Sequence, residues 1–334
     1  MQVDTNTIQS FFGSYQPYVL PIFSKTDWEC LHWNPDLANS LLDNDLLKTA
    51  RSIIDNATVD ELLATGLDPK DLCFLINNDV VVLTKKPHYK KTEQSWLVLS
   101  PHSDDAALSI GGLISRFSHE SDITVLTLIG PSRCAGTCDP LYGNTKIVTE
   151  IRKEEDKLYG MIASVSINTA DIEDVELYVD DAGKRWADHI MDRPDQHRIN
   201  LFQCAIEKYL TKNGMPDKIF LPLAVGAHGD HAATHIAFEN LRTKSSIFSS
   251  KPQIFYYEDL PYSAFEPMCL QRRLSEIKSI SPVNVEINFA EKMHGISIYR
   301  SQYLLSEIDP ILRDYQHKND RLNRVAIERL WKVS

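Results

Sequence analysis

The chain has 334 residues, 43% of them hydrophobic and 24% charged, the composition of an ordinary globular protein with room for one large core or two smaller ones. A net charge of −11 without any clustered Lys/Arg block argues against a nucleic-acid surface. The apolar runs are strand-length, well short of the roughly 20 residues that span a bilayer, and Met1-Gln-Val-Asp lacks a basic-then-apolar leader, so a cytoplasmic protein without membrane contact is expected.

Residues 1–92 differ in texture from the rest of the chain. Asn34 to Ile54 has helical apolar spacing, Thr58-Val-Asp-Glu61 opens like a capped second helix, and Phe74 to Leu83 reads as a helix end, an Asn-Asn turn and a strand. This predicts a small α+β module resembling a winged helix, joined by Lys85-Lys-Pro-His-Tyr-Lys-Lys91 to a second domain over 93–334.

From Ser95 onward strands and helices alternate. Strand 95–100 leads to helix 104–118, strand 122–129 to a helix over 144–163, a helix over 199–213 to strand 218–223, and helix 230–243 to strand 253–257. The pattern predicts an α/β, Rossmann-like, mostly parallel sheet flanked by helices, with ligands beyond the C-terminal strand ends. Residues 270–334 read as chiefly helical. The six cysteines do not form a disulfide framework; Cys134-Ala-Gly-Thr-Cys138 could pair or bind metal, but free thiols are the simpler reading.

Two clusters carry chemistry. Ser100-Pro-His-Ser-Asp-Asp-Ala-Ala-Leu-Ser-Ile-Gly-Gly112 follows the apolar run Trp96–Leu99 and places one imidazole and two adjacent carboxylates at a strand end. Neighbouring ionised carboxylates near a core need compensation, which a helix N-terminus and a metal ion can give. Gly111-Gly112 predicts close packing inside that helix. Gly226-Ala-His-Gly-Asp-His231 follows a later buried strand, Ile219–Leu223, and is expected on the same sheet edge. Together they offer His102, Asp105 and either His228 or His231 as a three-ligand catalytic metal site. His231-Ala-Ala-Thr-His235 has zincin spacing but no glutamate base, so His235 reads as a helix-face residue.

Pro101-His-Ser-Asp-Asp105 resembles the Pro-His-Pro-Asp-Asp signature of the LmbE-like, or PIG-L, metal-dependent de-N-acetylases, and His228-Gly-Asp-His231 resembles their His-Pro-Asp-His. Arg152-Lys-Glu-Glu155, Tyr256 to Tyr262, and Lys292 through Ser301-Gln302 are similar to further family segments, so the likeness spans about 95–305. Ser103 and Gly229 replace the two signature prolines. The resemblance implies that His102, Asp105 and His231 bind Zn²⁺, with Fe²⁺ as the other option, and that Asp104 is the general base. His228 is the candidate to stabilise the oxyanion, with Asp230 orienting that ring and raising its pKa. Arg133, Arg152 and Glu258, with Asp259 beside it, are the expected contacts to a small N-acetylated amino sugar. Another metal hydrolase, such as a phosphoesterase, and a binding or scaffold protein with a vestigial site are the competing readings.

Overall fold

The computed structural model describes residues 4, 5, 8, 16–20, 49–50, 52–53, 57–78, 80–84, 94–137, 143–177, 194, 196–226, 228–249, 251–319 and 325–334. Most of the helix expected over 34–54, the linker at 85–91 and Cys138 lie outside them. By internal contacts the chain divides into two units, 1–88 with 134–162 and 297–305, and 89–133 with 163–296 and 306–334.

In the first unit, β1 (Gln16–Val19) pairs antiparallel with β2 (Val81–Thr84). Helix α1 (Val59–Ala64) starts on the expected capping box: the Thr58 hydroxyl accepts the Glu61 N–H and the Glu61 carboxylate accepts the Thr58 N–H. Helix α2 (Pro69–Asn77) begins on Asp68 with proline at its first position, where a missing N–H costs nothing. Helix α4 (Thr145–Ala163) buries Glu155, which accepts the Ser301 N–H at 2.9 Å and its hydroxyl at 2.6 Å.

The second unit is built on a seven-stranded sheet of β3 (Ser95–Ser100), β4 (Asp122–Ile129), β5 (Ser166–Ile172), β6 (Lys218–Pro222), β7 (Gln253–Tyr257), β8 (Ile280–Ile287) and β9 (Ala326–Val333), in the order β5-β4-β3-β6-β7-β9-β8. The first five in that order are parallel neighbours; β9 runs antiparallel to β7 and to β8. This is the expected mostly parallel α/β sheet. From β3 the chain winds outward through β4 and β5, then returns to the other side for β6 and β7. The crevice at that reversal, between β3 and β6, is where such sheets bind ligands.

Helix α3 (Asp105–Phe117) follows β3, and α5 (Gln196–Asn213) packs against α6 (Gly229–Lys244). Leu97, Leu99, Leu126, Leu128, Phe202, Ile206, Leu221, Ala237 and Phe238 belong to one buried cluster between helices and sheet. Beyond β7 come α7 (Tyr262–Phe265), α8 (Pro267–Glu276), α9 (Phe289–Ile296) and α10 (Leu305–Asn319). Among the described residues no helix is long and apolar enough to cross a membrane.

The C-terminal part departs from the expected helices, because β8 and β9 complete the sheet. Pro282 sits within β8, an edge strand, the part of a sheet that tolerates proline. Gly112 does permit close packing: a Cβ there would lie 2.5 Å from Ile287 Cδ1. The described cysteines Cys73, Cys134, Cys204 and Cys269 are in no disulfide.

Candidate active site

β3 ends at Ser100, whose hydroxyl donates to the His102 carbonyl at 2.6 Å and accepts the Ala106 N–H at 3.1 Å. One hydroxyl thus closes the strand-to-helix turn and satisfies an open donor of α3. Asp104 occupies the N-cap position, yet its side chain does not cap the helix. Asp104 and Asp105 are both buried, at 5% and 4% exposure, within the favourable field of the helix start.

Asp105 bridges the two sequence clusters. Its Oδ2 lies 2.7 Å from the His102 backbone N and 3.1 Å from His102 Nδ1, and its Oδ1 lies 3.3 Å from His231 Nε2, without the alignment of a hydrogen bond. His231 is braced from behind, with Nδ1 2.6 Å from Asp259 Oδ1. Asp259 Oδ2 in turn accepts the Val225 N–H at 3.0 Å. This leaves His231 Nε2 buried without a hydrogen-bond partner. A carboxylate behind one ring nitrogen and an unsatisfied second nitrogen is how protein-bound metals hold their histidines.

His228 caps α6, its Nδ1 accepting the Asp230 N–H at 3.3 Å. Its ring centroid lies 4.7 Å from that of His102 and 5.1 Å from that of His231. The loop before it turns at Gly226 (φ +83°), where a Cβ would come within 3.2 Å of Tyr262. The Tyr262 ring stands edge-on to His231 at 5.3 Å. Among the described residues, two sets of three have ligand atoms within 4.8 Å of one another, His102 with His228 and His231, and His102 with Asp174 and Asp230. Asp105 adjoins the first set through its contacts to His102 and His231.

Asp230 departs from the expectation. Its carboxylate does not reach His228; Oδ1 is taken by the fully buried Arg198, whose Nε lies at 2.7 Å, and Oδ2 faces His102 Nε2 and the Val175 N–H, both at 3.3 Å. Of Asp230, it is the backbone N–H that meets the His228 ring. Arg198 also donates to the Glu173 carbonyl at 2.9 Å, tying the loop after β5 to the site. That loop brings in Asp174, buried at 4% exposure, with the Ser132 hydroxyl on its Oδ2 at 2.7 Å.

The titration of these groups follows from their pairing. Burial alone would lower the His102 imidazole, but Asp105 and Asp230 overcome it and raise its pKa to about 10. Burial likewise opposes the charge of His231, and Asp105 and Asp259 raise it well above the usual range. Against the effect of burial, Asp105 is driven far down by the same two imidazoles. His228 goes the other way, to about 3, through burial and the neighbouring His102 and His231 charges. The Asp230 charge does favour a protonated His228, as expected, but burial and the two neighbouring imidazoles outweigh it. What is corrected is the geometry, since the Asp230 carboxylate makes no hydrogen bond to that ring.

The expected rim residues separate. Arg133 reaches Glu176 with Nε at 3.4 Å, both side chains partly exposed. Glu258 is 3% exposed and its carboxylate is taken by Arg329 at 2.6 and 3.1 Å and by Trp331 Nε1 at 2.9 Å, so it turns away from any substrate. Its neighbour Asp259 holds His231 instead of a sugar. Arg152 is buried on α4, in the first unit. Arg198 and Asp174 are additions that only the structure supplies: nothing around Arg198 marks it in the sequence, and Asp174 follows a strand whose polar composition hides it.

Residues 97–241 match the model of the family described as PIG-L, GlcNAc-PI de-N-acetylase. The 2′-N-acetylparomamine deacetylase of Streptomyces fradiae is 28% identical over 213 residues, 62% of this chain and 72% of that one. Among solved structures, the zinc-inhibited form of teicoplanin deacetylase gives a TM-score of 0.56 at 18% identity over 71% of this chain and 97% of the other. The N,N′-diacetylchitobiose deacetylase from Pyrococcus horikoshii gives 0.51 at 18% over 72% and 84%. At such identities the structural likeness establishes the fold.

Proposed function

We propose, from the premise that residues 97–241 form a domain of the PIG-L de-N-acetylase family, that the protein hydrolyses the N-acetyl group of a small amino-sugar compound, an intermediate of aminoglycoside or related antibiotic assembly. The observation that carries the reading is the convergence of His102, Asp105 and His231, with His231 Nε2 unsatisfied in a buried, carboxylate-braced ring.

His102, Asp105 and His231 are the residues to hold a divalent ion, Zn²⁺ first and Fe²⁺ as the alternative. Such an ion, when bound, supplies electrophilic polarisation of a carbonyl and a lowered pKa for water. Asp104, at the helix start and not engaged in capping it, takes the proton of the attacking water and returns it to the departing amine. His228 accepts the Asp230 N–H on Nδ1, so its neutral form carries the proton on Nε2 and offers that N–H as a hydrogen bond to the oxyanion, keeping the proton. Arg198 and Asp230 hold His102 in place. Arg133, paired with Glu176, and Asp174 are the residues we assign to sugar hydroxyls and amines. Substrate identity rests on the relatives: one is named for an N-acetylated aminoglycoside precursor and another for a diacetylated sugar.

The test is acetate release from a panel of N-acetyl aminoglycoside precursors and N-acetylglucosaminides, with metal content measured on the same protein. Turnover with about one ion per chain is expected. No release from any member, with Asp104→Asn indistinguishable from wild type, would favour a scaffold; about two ions per chain with phosphoester cleavage would favour a phosphoesterase.

A further inference from the structure

Helix α3 is broken at Ile110, where φ −133° and ψ 24° leave the helical region. A break frees backbone donors on its far side and carbonyls on its near side, and both must find partners when buried. Glu328, on β9, takes the donors: Oε1 accepts the Gly112 N–H at 3.0 Å and Oε2 the Leu113 N–H at 2.7 Å. Lys292, on α9, takes the near side, its Nζ 3.4 Å from the Ser109 carbonyl and 2.7 Å from Glu328 Oε1. Lys292 and Glu328 are 1% and 2% exposed. An anion thus stands at the start of the second helical segment and a cation at the end of the first, the signs that helix termini favour.

The first segment, residues 105–109, carries Asp105 and is fixed at both ends. At its start Ser100 receives the Ala106 N–H. At its end the Ser109 hydroxyl accepts the Leu260 N–H at 3.2 Å, and Leu260 directly follows Asp259, the brace of His231. Gly112 leaves the space that Ile287 fills beside the break.

We infer that the buried Lys292–Glu328 pair is a positioning device: by holding the break in α3 it sets segment 105–109, and through Ser109 and Leu260 it fixes Asp105 relative to His231. It touches no reacting group. The inference rests on the metal reading above only for its functional consequence.

The experiment uses the full chain with Lys292→Met/Glu328→Gln, which removes both charges together and leaves no buried ion unpaired. Glu291→Gln, at the exposed contact with Ser115 on the same helix pair, is the control. The readouts are cooperative thermal unfolding, amide exchange by mass spectrometry over 103–115, and Zn²⁺ affinity by competition with a chromogenic chelator. Expected is a folded double variant with faster exchange over 103–115 and Zn²⁺ affinity weakened about tenfold or more, kcat falling further than KM rises. A folded double variant with wild-type Zn²⁺ affinity overturns the inference, whatever its exchange. If wild-type chain binds no Zn²⁺, the metal reading fails by itself, and exchange over 103–109 decides the positioning: wild-type protection in the double variant would sink it. Should the double variant not fold, Lys292→Arg is measured the same way, with near wild-type affinity and protection expected and a tenfold loss of affinity without loss of protection counting against.

Discussion

In the parallel part of the sheet, β3, β6 and β7 all end on one edge, and the residues just after them supply His102 to Asp105, His228 to His231, and Asp259. The antiparallel part, β9 and β8, sends no ligand to that edge, but Glu328 and Arg329 of β9 answer charges left by its neighbours. The contrast shows most sharply at consecutive residues. Glu258 and Asp259 leave β7 on opposite sides: Asp259 faces the imidazoles, Glu258 faces Arg329 and Trp331. A strand's alternation thus separates a carboxylate that tunes a site from one that fastens the sheet. Parallel ends concentrate helix N-termini and open donors on one edge, and so gather anions and what anions bind; an antiparallel strand carries its polar side chains to local partners.

The largest effect should come from Asp104, whose role depends on its place at the parallel edge. Asp104→Asn keeps shape and removes the base, and kcat is expected to fall roughly 10²–10⁴-fold with Zn²⁺ still bound. Steady-state acetate release with metal analysis checks it, and loss of metal along with activity would place Asp104 among the ligands instead. Asp230→Ala tests the same edge by stability. It leaves the fully buried Arg198 guanidinium without its carboxylate, at a cost of about 3–5 kcal/mol in urea unfolding.

The Glu258/Asp259 pair sharpens the comparison directly. Asp259→Asn weakens the brace on His231, so Zn²⁺ affinity should drop about 10–100-fold in a chelator competition. Glu258→Gln should leave that affinity within about threefold while lowering stability by about 1–2 kcal/mol, since Arg329 and Trp331 keep a partner of reduced charge. Equal losses of affinity would erase the distinction between the two faces.

How much of this is legible in the sequence depends on where a residue sits in the sheet. Trp96–Leu99 and Ile219–Leu223 are continuous apolar runs because parallel central strands are buried on both faces, and the polar clusters that end them stand out by contrast. Ser166-Ile-Asn-Thr-Ala-Asp-Ile172 and Ile280-Ser-Pro-Val-Asn-Val-Glu-Ile287 are the two sheet edges, half polar, and neither reads as a strand. In Ala326-Ile-Glu-Arg-Leu-Trp-Lys-Val333 the charges of Glu328 and Arg329 acquire a reason only once the fold sets them against Lys292 and Glu258. Asp174 is hidden behind one of these edges. The ligand types and their spacing are visible in the motifs, but Arg198 is not, since a single arginine on α5 acquires meaning only when the fold sets it against Asp230.

The smallest effect concerns two histidines four apart on α6. His231 points to the edge; His235, 6% exposed, has Nδ1 2.8 Å from the Pro222 carbonyl and its ring 4.8 Å from Tyr256, inside the body of the sheet. Burial first, then the Arg273 charge, lowers its pKa to about 4 from the ordinary 6.5. The folded state therefore binds fewer protons than the unfolded chain between those values, so stability is full above pH 6.5 and lost as pH falls toward 4. At pH 5 the loss from His235 amounts to about 1–2 kcal/mol. His235→Asn keeps a donor at the position of Nδ1 but cannot take up the proton. Urea unfolding at pH 7 and pH 5 should show wild type losing more stability than the variant by that amount. Equal losses in both would mean that His235 is as easily charged in the fold as in the unfolded chain, and that the helix presents two polar histidines where the structure has one.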